Sequence, residues 1–342
     1  MNFNFTIKKI RRNIPIIFLI SSICLILISC KSADQAPVEK DNRQYISITE
    51  THKNEEGQLI VSLFTFFTEN NEVEKAIDFP FTAQYSLGAC DLADNIAYLS
   101  KDVNNTGDQI FSYNLETKEE EQITDNLFAV NYIIPTKDKV FFAACKLGQA
   151  NVCLGAYDKN TKEIKYWGDD GDTNIENICV DEETASIYIS TYSEKEDRYN
   201  LQHQTSDDFV IPDHSIWKIS FDFEDETKLF TIPEKWARML LINDSKLLVI
   251  YDHKYNDSAT PSECIYYDLE ENKKLDFDLP PYRIEKGNAS FSEDGKSLYV
   301  LSELENDENR KLYKYNLEDK SYELLFEPTE NGFINNYQLI GH

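Results

Sequence analysis

Gln109-Ile110-Phe111-Ser112-Tyr113-Asn114-Leu115-Glu116-Thr117-Lys118 alternates apolar and polar side chains and then reverses through an Asn-x-Glu-x-Lys turn. A period of two puts successive side chains on opposite faces of a strand, and Asn initiates tight turns through its side-chain oxygen. The unit returns as Leu312-Tyr313-Lys314-Tyr315-Asn316-Leu317-Glu318-Asp319-Lys320 and as Ile265-Tyr266-Tyr267-Asp268-Leu269-Glu270-Glu271-Asn272-Lys273. Looser copies run from Leu154 to Lys162 and from Trp217 to Glu224, and the weakest from Leu63 to Asn70. Their aromatic anchors Phe67, Tyr113, Tyr157, Phe221, Tyr267 and Tyr315 stand 46, 44, 64, 46 and 48 residues apart. A period in the mid-forties built from short strands predicts propeller blades.

Each unit shares one grammar. In the last, Asn288 to Phe291 supplies a first strand and Glu293-Asp294-Gly295-Lys296 a polar turn. The apolar strand Leu298 to Leu301 follows, then Leu312 to Leu317, then Tyr322 to Phe326. Six copies predict an all-β ring of six four-stranded antiparallel blades. The first copy has only three strands, near Tyr45–Ile48, Leu59–Phe67 and Val73–Phe79, while one strand near Phe333–Ile340 is left over. Placing that C-terminal strand as the inner strand of blade one closes the ring and removes its open edges. A seven-bladed ring and a large sandwich are the alternative architectures.

Phe291-Ser292-Glu293-Asp294-Gly295-Lys296-Ser297-Leu298-Tyr299-Val300 resembles the Ser-Pro-Asp-Gly-Lys repeat of propellers related to that of the Tol system, with Glu293 where Pro is usual. The motif marks a strand turn, so it speaks for fold and not for activity. At the other end, Lys8, Lys9, Arg11 and Arg12 precede the nearly unbroken apolar run Ile14 to Ile28. Such a basic segment and short apolar run read as an export signal, too short for a typical membrane span of about 20 apolar residues. Leu27-Ile28-Ser29-Cys30 closes it and is similar to the lipobox of bacterial lipoproteins. The whole chain therefore resembles a lipoprotein carrying a six-bladed, TolB-like β-propeller domain. The resemblance implies cleavage before Cys30, acylation of its sulfur, and anchoring in a cell membrane or outer membrane on the extracytoplasmic side. More than one acyl chain makes such an anchor stable. The expected organisation is a signal peptide over 1–29, the lipidated Cys with a flexible tether over 30–43, and the propeller over 44–342. Lys31 to Asn42 is polar and too poor in apolar groups to offset its ordering entropy.

All 61 acids lie beyond Cys30, whereas four of the 34 bases precede it, leaving a formal charge of −31. That charge excludes nucleic acid as a natural ligand, because such affinity comes mainly from Lys and Arg neutralising phosphates. Five Cys follow Cys30: Cys90, Cys145, Cys153, Cys179 and Cys264. Cys145 and Cys153 flank a hairpin turn and can face each other, while Cys90 and Cys179 read as small buried residues. No G-x-S-x-G elbow or phosphate-binding Gly loop is present in the sequence.

In a propeller the loops between second and third strands share a face with the blade-to-blade connections. Here those loops are His52–Gln58, Lys101–Asp108, Lys146–Asn151, Tyr192–Asp213, His253–Ser262 and Glu303–Arg310. Long loops on rigid scaffolds carry binding function. Ligand-binding candidates are therefore Tyr192, Arg198, Tyr199, His203, Asp207 and Asp208 of the longest loop, with His253 and Tyr255 from the fifth. His52, His203, His214 and His253 fall in or beside these loops, without the spacing of a metal motif. Asp170, Asp172 and Asn174 alternate as Ca²⁺ ligands do, but Ile175 replaces the sharp-turning Gly of an EF-hand loop. No cofactor is expected beyond this candidate Ca²⁺ site. Three readings follow. The first is a binding module for an envelope or extracellular protein, peptide or glycan. The second is a hydrolase or lyase using His and carboxylates at the channel mouth. The third is an assembly or sensor lipoprotein of an envelope machine.

Overall fold

The computed structural model describes residues 43–205, 209–257, 259–285, 287–305 and 307–341. The export segment, Cys30 and the tether through Asn42 lie outside them, as do Asp207 and Asp208. Among the described residues the chain forms six four-stranded antiparallel sheets arranged as a six-bladed β-propeller. Blade one contains β1 (Tyr45–Lys53), β2 (Leu59–Phe67) and β3 (Glu72–Pro80). Blade two is β4 (Gly88–Asp91), β5 (Ile96–Asp102), β6 (Asp108–Asn114) and β7 (Glu120–Gln122). Blade three is β8 (Leu127–Pro135), β9 (Lys139–Lys146), β10 (Val152–Asp158) and β11 (Ile164–Trp167). Blade four is β12 (Thr173–Asp181), β13 (Ser186–Ser193), β14 (His214–Ser220) and β15 (Glu226–Ile232), with helix α1 (Glu194–His203) inserted before β14. Blade five is β16 (Trp236–Asn243), β17 (Lys246–Asp252), β18 (Glu263–Asp268) and β19 (Lys273–Leu275). Blade six is β20 (Ser290–Phe291), β21 (Ser297–Ser302), β22 (Lys311–Asn316) and β23 (Tyr322–Phe326). The last strand, β24 (Phe333–Ile340), pairs with β1 from Tyr45↔Ile340 to Thr51↔Phe333 and completes blade one. The ring is thus closed as the strand count predicts.

The repeated sequence unit is a turn device. Asn114 Oδ1 accepts the backbone N–H groups of Glu116 and Thr117, at 3.0 and 2.8 Å. Asp158, Asp268 and Asn316 do the same for their own turns. Each turn then needs one residue in the left-handed region, supplied by Lys118, Lys162, Asn272 and Lys320 with φ between 52° and 65°. The turn is tied to its own blade, because the N–H of Leu115 donates to Asn95 O and that of Leu317 to Lys296 O. The Ser292-to-Lys296 motif is the neighbouring turn: Gly295 has φ 67° and Asp294 Oδ1 accepts from Ser292 Oγ and Lys296 N.

Blades pack through apolar faces, for example Phe141, Ile175, Ile187 and Ile219 between blades three and four. Polar side chains also stitch each junction. Thr49 Oγ1 donates to Gly88 O, Gln109 Nε2 to Leu127 O and Asn177 Nδ2 to Tyr132 Oη. Asn177 Oδ1 accepts Leu240 N, Arg238 Nη1 donates to Ile284 O, and Leu301 N donates to Tyr337 Oη. Buried polar atoms paired across blades fix their relative register, which apolar contact alone does not. At Gly155 the Phe142 ring lies directly on the backbone, and a Cβ there would sit 2.1 Å from Phe142 Cζ.

The long Tyr192–Asp213 loop carries α1. One expectation is corrected. Cys145 and Cys153 do not face each other: Cys145 pairs with Val152, and Cys153 with Ala144. That one-residue offset sends their side chains to opposite faces of the sheet. All five described cysteines are free thiols.

Candidate functional site

The face that carries the longer loops is built by loops and by distortions of the inner strands. Helix α1 starts where Ser193 caps it, accepting Glu196 N–H at 3.2 Å, and its first turn holds Glu194, Glu196 and Asp197. Acids there complement the helix dipole. Asp172 anchors the same turn by accepting Ser193 Oγ at 2.8 Å and Lys195 N–H at 3.0 Å. Below the helix, Asp197 accepts the Tyr255 hydroxyl at 3.0 Å, and burial holds its carboxyl above the usual range. Tyr255 packs edge-on against Trp236, with centroids 5.5 Å apart. His214 is fully buried and stacked on Tyr192 at 5.0 Å, with neither ring nitrogen hydrogen-bonded within the described residues. Burial pushes its pKa down to about 3, so its imidazole is neutral.

The sequence candidates therefore split. Tyr192 and Tyr255 turn inward around His214, Trp236 and Asp197. Arg198, Tyr199 and His203 lie on the outer side of α1, where Arg198 pairs with Glu194 at 3.0 Å and Tyr199 stacks on His203 at 4.1 Å. His253 sits in the next loop, where Lys235 Nζ donates to its Nδ1 at 2.6 Å. That contact leaves the proton on Nε2, which lies 2.7 Å from Glu263 Oε1. Tyr251 and then His253 hold the Glu263 carboxyl below its usual range. Asp170 spends its oxygens on Asp172 N, Thr173 N and Thr173 Oγ1, and Asn174 Oδ1 accepts Val152 N at 2.6 Å. The three proposed Ca²⁺ ligands thus serve turn, helix and strand in this geometry. Asp170, Asp172 and Tyr192 share an open cleft of about 660 Å³ with Trp167, Trp217 and Glu226.

A second set of residues was not anticipated. Bulges interrupt four inner strands, where the strand register passes over Asn335 in β24, Asn131 in β8, Glu176 in β12 and Arg238 in β16. A bulge adds one residue and re-aims its side chain. Asn131 and Asn335, with Asn336, Tyr85, Tyr132 and Arg310, line a cavity of about 370 Å³ where the inner strands begin. Gly287 of a blade connection and Arg310 of a second-to-third-strand loop meet there, as expected of that face. Asn335 and Asn336 are 5 % exposed, yet Nδ2 of both and Oδ1 of Asn335 have no hydrogen-bond partner within the described residues. Buried amides left open in this way call for a guest or water. The Tyr85 hydroxyl meets Asn335 O at 2.5 Å, which fixes the backbone of that bulge. Among the described residues, no group of three His, Cys, Asp or Glu side chains is arranged to hold a metal ion. No helix of the described residues is long and apolar enough to cross a membrane.

No protein-family model matches this chain, and no curated protein is similar to it in sequence. Solved structures match in fold. TolB from Acinetobacter baumannii superposes with a TM-score of 0.56 at 13 % identity, covering 86 % of this chain and 66 % of that one. This chain thus spans just under two thirds of the TolB chain. A chain of a nidogen/laminin complex gives 0.54 at 12 % identity, covering 86 % and 98 %. The β-propeller domain of the trilobed protease from Pyrococcus furiosus gives 0.51 at 13 % identity, covering 82 % and 83 %. That propeller has an open velcro topology, whereas β24 closes the ring here. These likenesses carry the fold.

Proposed function

We propose that this protein is an extracytoplasmic, lipid-anchored binding module that grips an envelope or extracellular protein, peptide or glycan at the mouth of its ring. The observation that carries the reading is the cavity at Asn335 and Asn336, where buried amide donors and acceptors have no partner in the described chain. Among the described residues its lining is amide, phenol, guanidinium and aliphatic, and includes no His, Asp, Glu or Cys. A ligand held by such groups is recognised by shape and hydrogen bonds rather than turned over by acid–base chemistry. The lipobox-like Cys30 supports tethering at a membrane, and the TolB and nidogen/laminin likenesses agree with a protein partner.

The test is co-purification of the full chain from the cells that make it, followed by identification of the retained species. Asn335→Leu with Asn336→Leu keeps the branched outline of each side chain, at larger volume, and removes the amide groups. It should lose the partner retained by the natural chain while unfolding in one cooperative step. Retention of the same partner by the folded double variant would overturn the assignment of the mouth.

A further inference from the structure

A smaller cavity of about 230 Å³ opens between blades five and six, apart from the channel mouth. Its floor is Arg238, Ile250 and Ile284, all no more than 3 % exposed. Leu279 and Pro280 wall it, and Arg283 stands beside them, about a quarter exposed. The volume falls below the roughly 300–1,000 Å³ of sites for drug-sized ligands, so it suits a single residue or a small acid.

Donors decide what enters. Asp252, 1 % exposed, lies between two guanidinium groups: its Oδ2 is 2.9 Å from Arg238 Nε and 2.5 Å from Arg283 Nη2. Its Oδ1 accepts Ser262 Oγ at 2.6 Å. Arg238 is held further by Ile284 O and Ser262 Oγ, both at 2.9 Å, and Arg283 by Asp257 O at 2.9 Å. Glu285 pairs with Arg310 at 3.3 Å and also acts on Arg238 through its charge. The Asp252 carboxylate lies between the two cations, and the charges of Asp257 and Glu285 also act on Arg283 and Arg238, so what Arg283 offers a guest is hydrogen-bond donors and not a net positive charge. A guanidinium offers five N–H donors. Arg283 uses two of them on described partners, so three remain for a guest beside the apolar walls.

We propose that this cavity receives a carboxylate carried on an apolar stem, clamped by Arg283 with Arg238 and Asp252 holding its base. The carboxylate meets a planar donor fork, the geometry at which Arg excels. Ile250, Leu279 and Pro280 then cover the stem. A polypeptide ending in an apolar residue and a free branched-chain acid share this chemistry. The cavity shares no lining residue with that at the channel mouth, so each assignment has its own test.

The experiment is isothermal titration of the full chain with acetyl-Ala-Ala-Leu as the free acid, with its C-terminal amide, and with 4-methylpentanoate. The free-acid peptide should bind at least tenfold more tightly than the amide, because a charge-assisted hydrogen bond is lost. Arg283→Gln should lose that preference, and Arg283→Lys should recover part of it by restoring charge without the fork. Binding of 4-methylpentanoate as tight as that of the peptide assigns the site to free acids. Binding of the peptide alone assigns it to chain termini. Equal affinity for acid and amide, undiminished binding by a folded Arg283→Gln variant, or no heat from either acid at millimolar concentration would overturn the proposal.

Discussion

His214 makes a measurable demand on pH. Its ring is fully buried against Tyr192 with both nitrogens unpartnered in the described chain, and its pKa falls from 6.5 to about 3. Between those values the unfolded chain binds a proton that the folded chain refuses. The linkage slope then makes stability rise with pH, so this contribution is fully present above about 6.5 and is lost as pH falls toward 3. At about 1.4 kcal/mol per unit, the loss between pH 7 and pH 5 is about 2 kcal/mol. Other groups titrate over the same range, so the informative quantity is a difference between two proteins. His214→Phe keeps a flat ring on Tyr192 and removes the titration. Urea unfolding at pH 7 and pH 5 should show the natural chain losing about 2 kcal/mol more than the variant. At pH 7 the variant should be at least as stable, since deleting an unsatisfied buried polar group relieves a cost of about 1–3 kcal/mol. Equal pH dependence in the two proteins would refute the buried, neutral imidazole.

Three further outcomes follow from the geometry. Gly155→Ala pushes a methyl into the Phe142 ring and should cost about 1–3 kcal/mol in denaturant unfolding. Tyr255→Phe removes the hydroxyl that Asp197 accepts and should speed amide exchange in α1 by about tenfold, consistent with a lost bond of about 1.5 kcal/mol to a carboxylate. Cys30→Ala should leave full-length precursor and abolish incorporation of labelled lipid, read by gel shift and labelling.

The ring was legible because its signals are local. Asn114, Asp158, Asp268 and Asn316 set their turns with their own side chains, so the device is written in four or five adjacent residues. Counting strands then required β24 to close blade one. Helix α1 was also written locally, since Ser193-Glu194-Lys195-Glu196 carries the Ser-x-x-Glu capping pattern. The long polar segment around it concealed that signal. The Cys145 and Cys153 arrangement depended on a register that flanking a turn does not determine. The bulges at Asn131, Glu176, Arg238 and Asn335 were not legible, because an extra residue in one strand is defined only by its partner. Their trace is chemical: Asn335-Asn336 and Arg238 interrupt strands that are otherwise mainly apolar. The candidates Arg198, Tyr199 and His203 were chosen by loop membership, which does not reveal which way a helix turns each side chain.

The central claim is that the channel mouth holds the partner. Its most direct test places a photo-crosslinking residue at Asn131, which lines the mouth, and separately at Lys118 and Lys320 in the turns at the opposite ends of their blades. Illumination of the full chain in the cells that make it should yield one discrete adduct from Asn131. That adduct should vanish when Asn335 and Asn336 are both Leu, and be absent from Lys118 and Lys320. The same adduct from either turn, or an Asn131 adduct indifferent to the double substitution, would contradict the account.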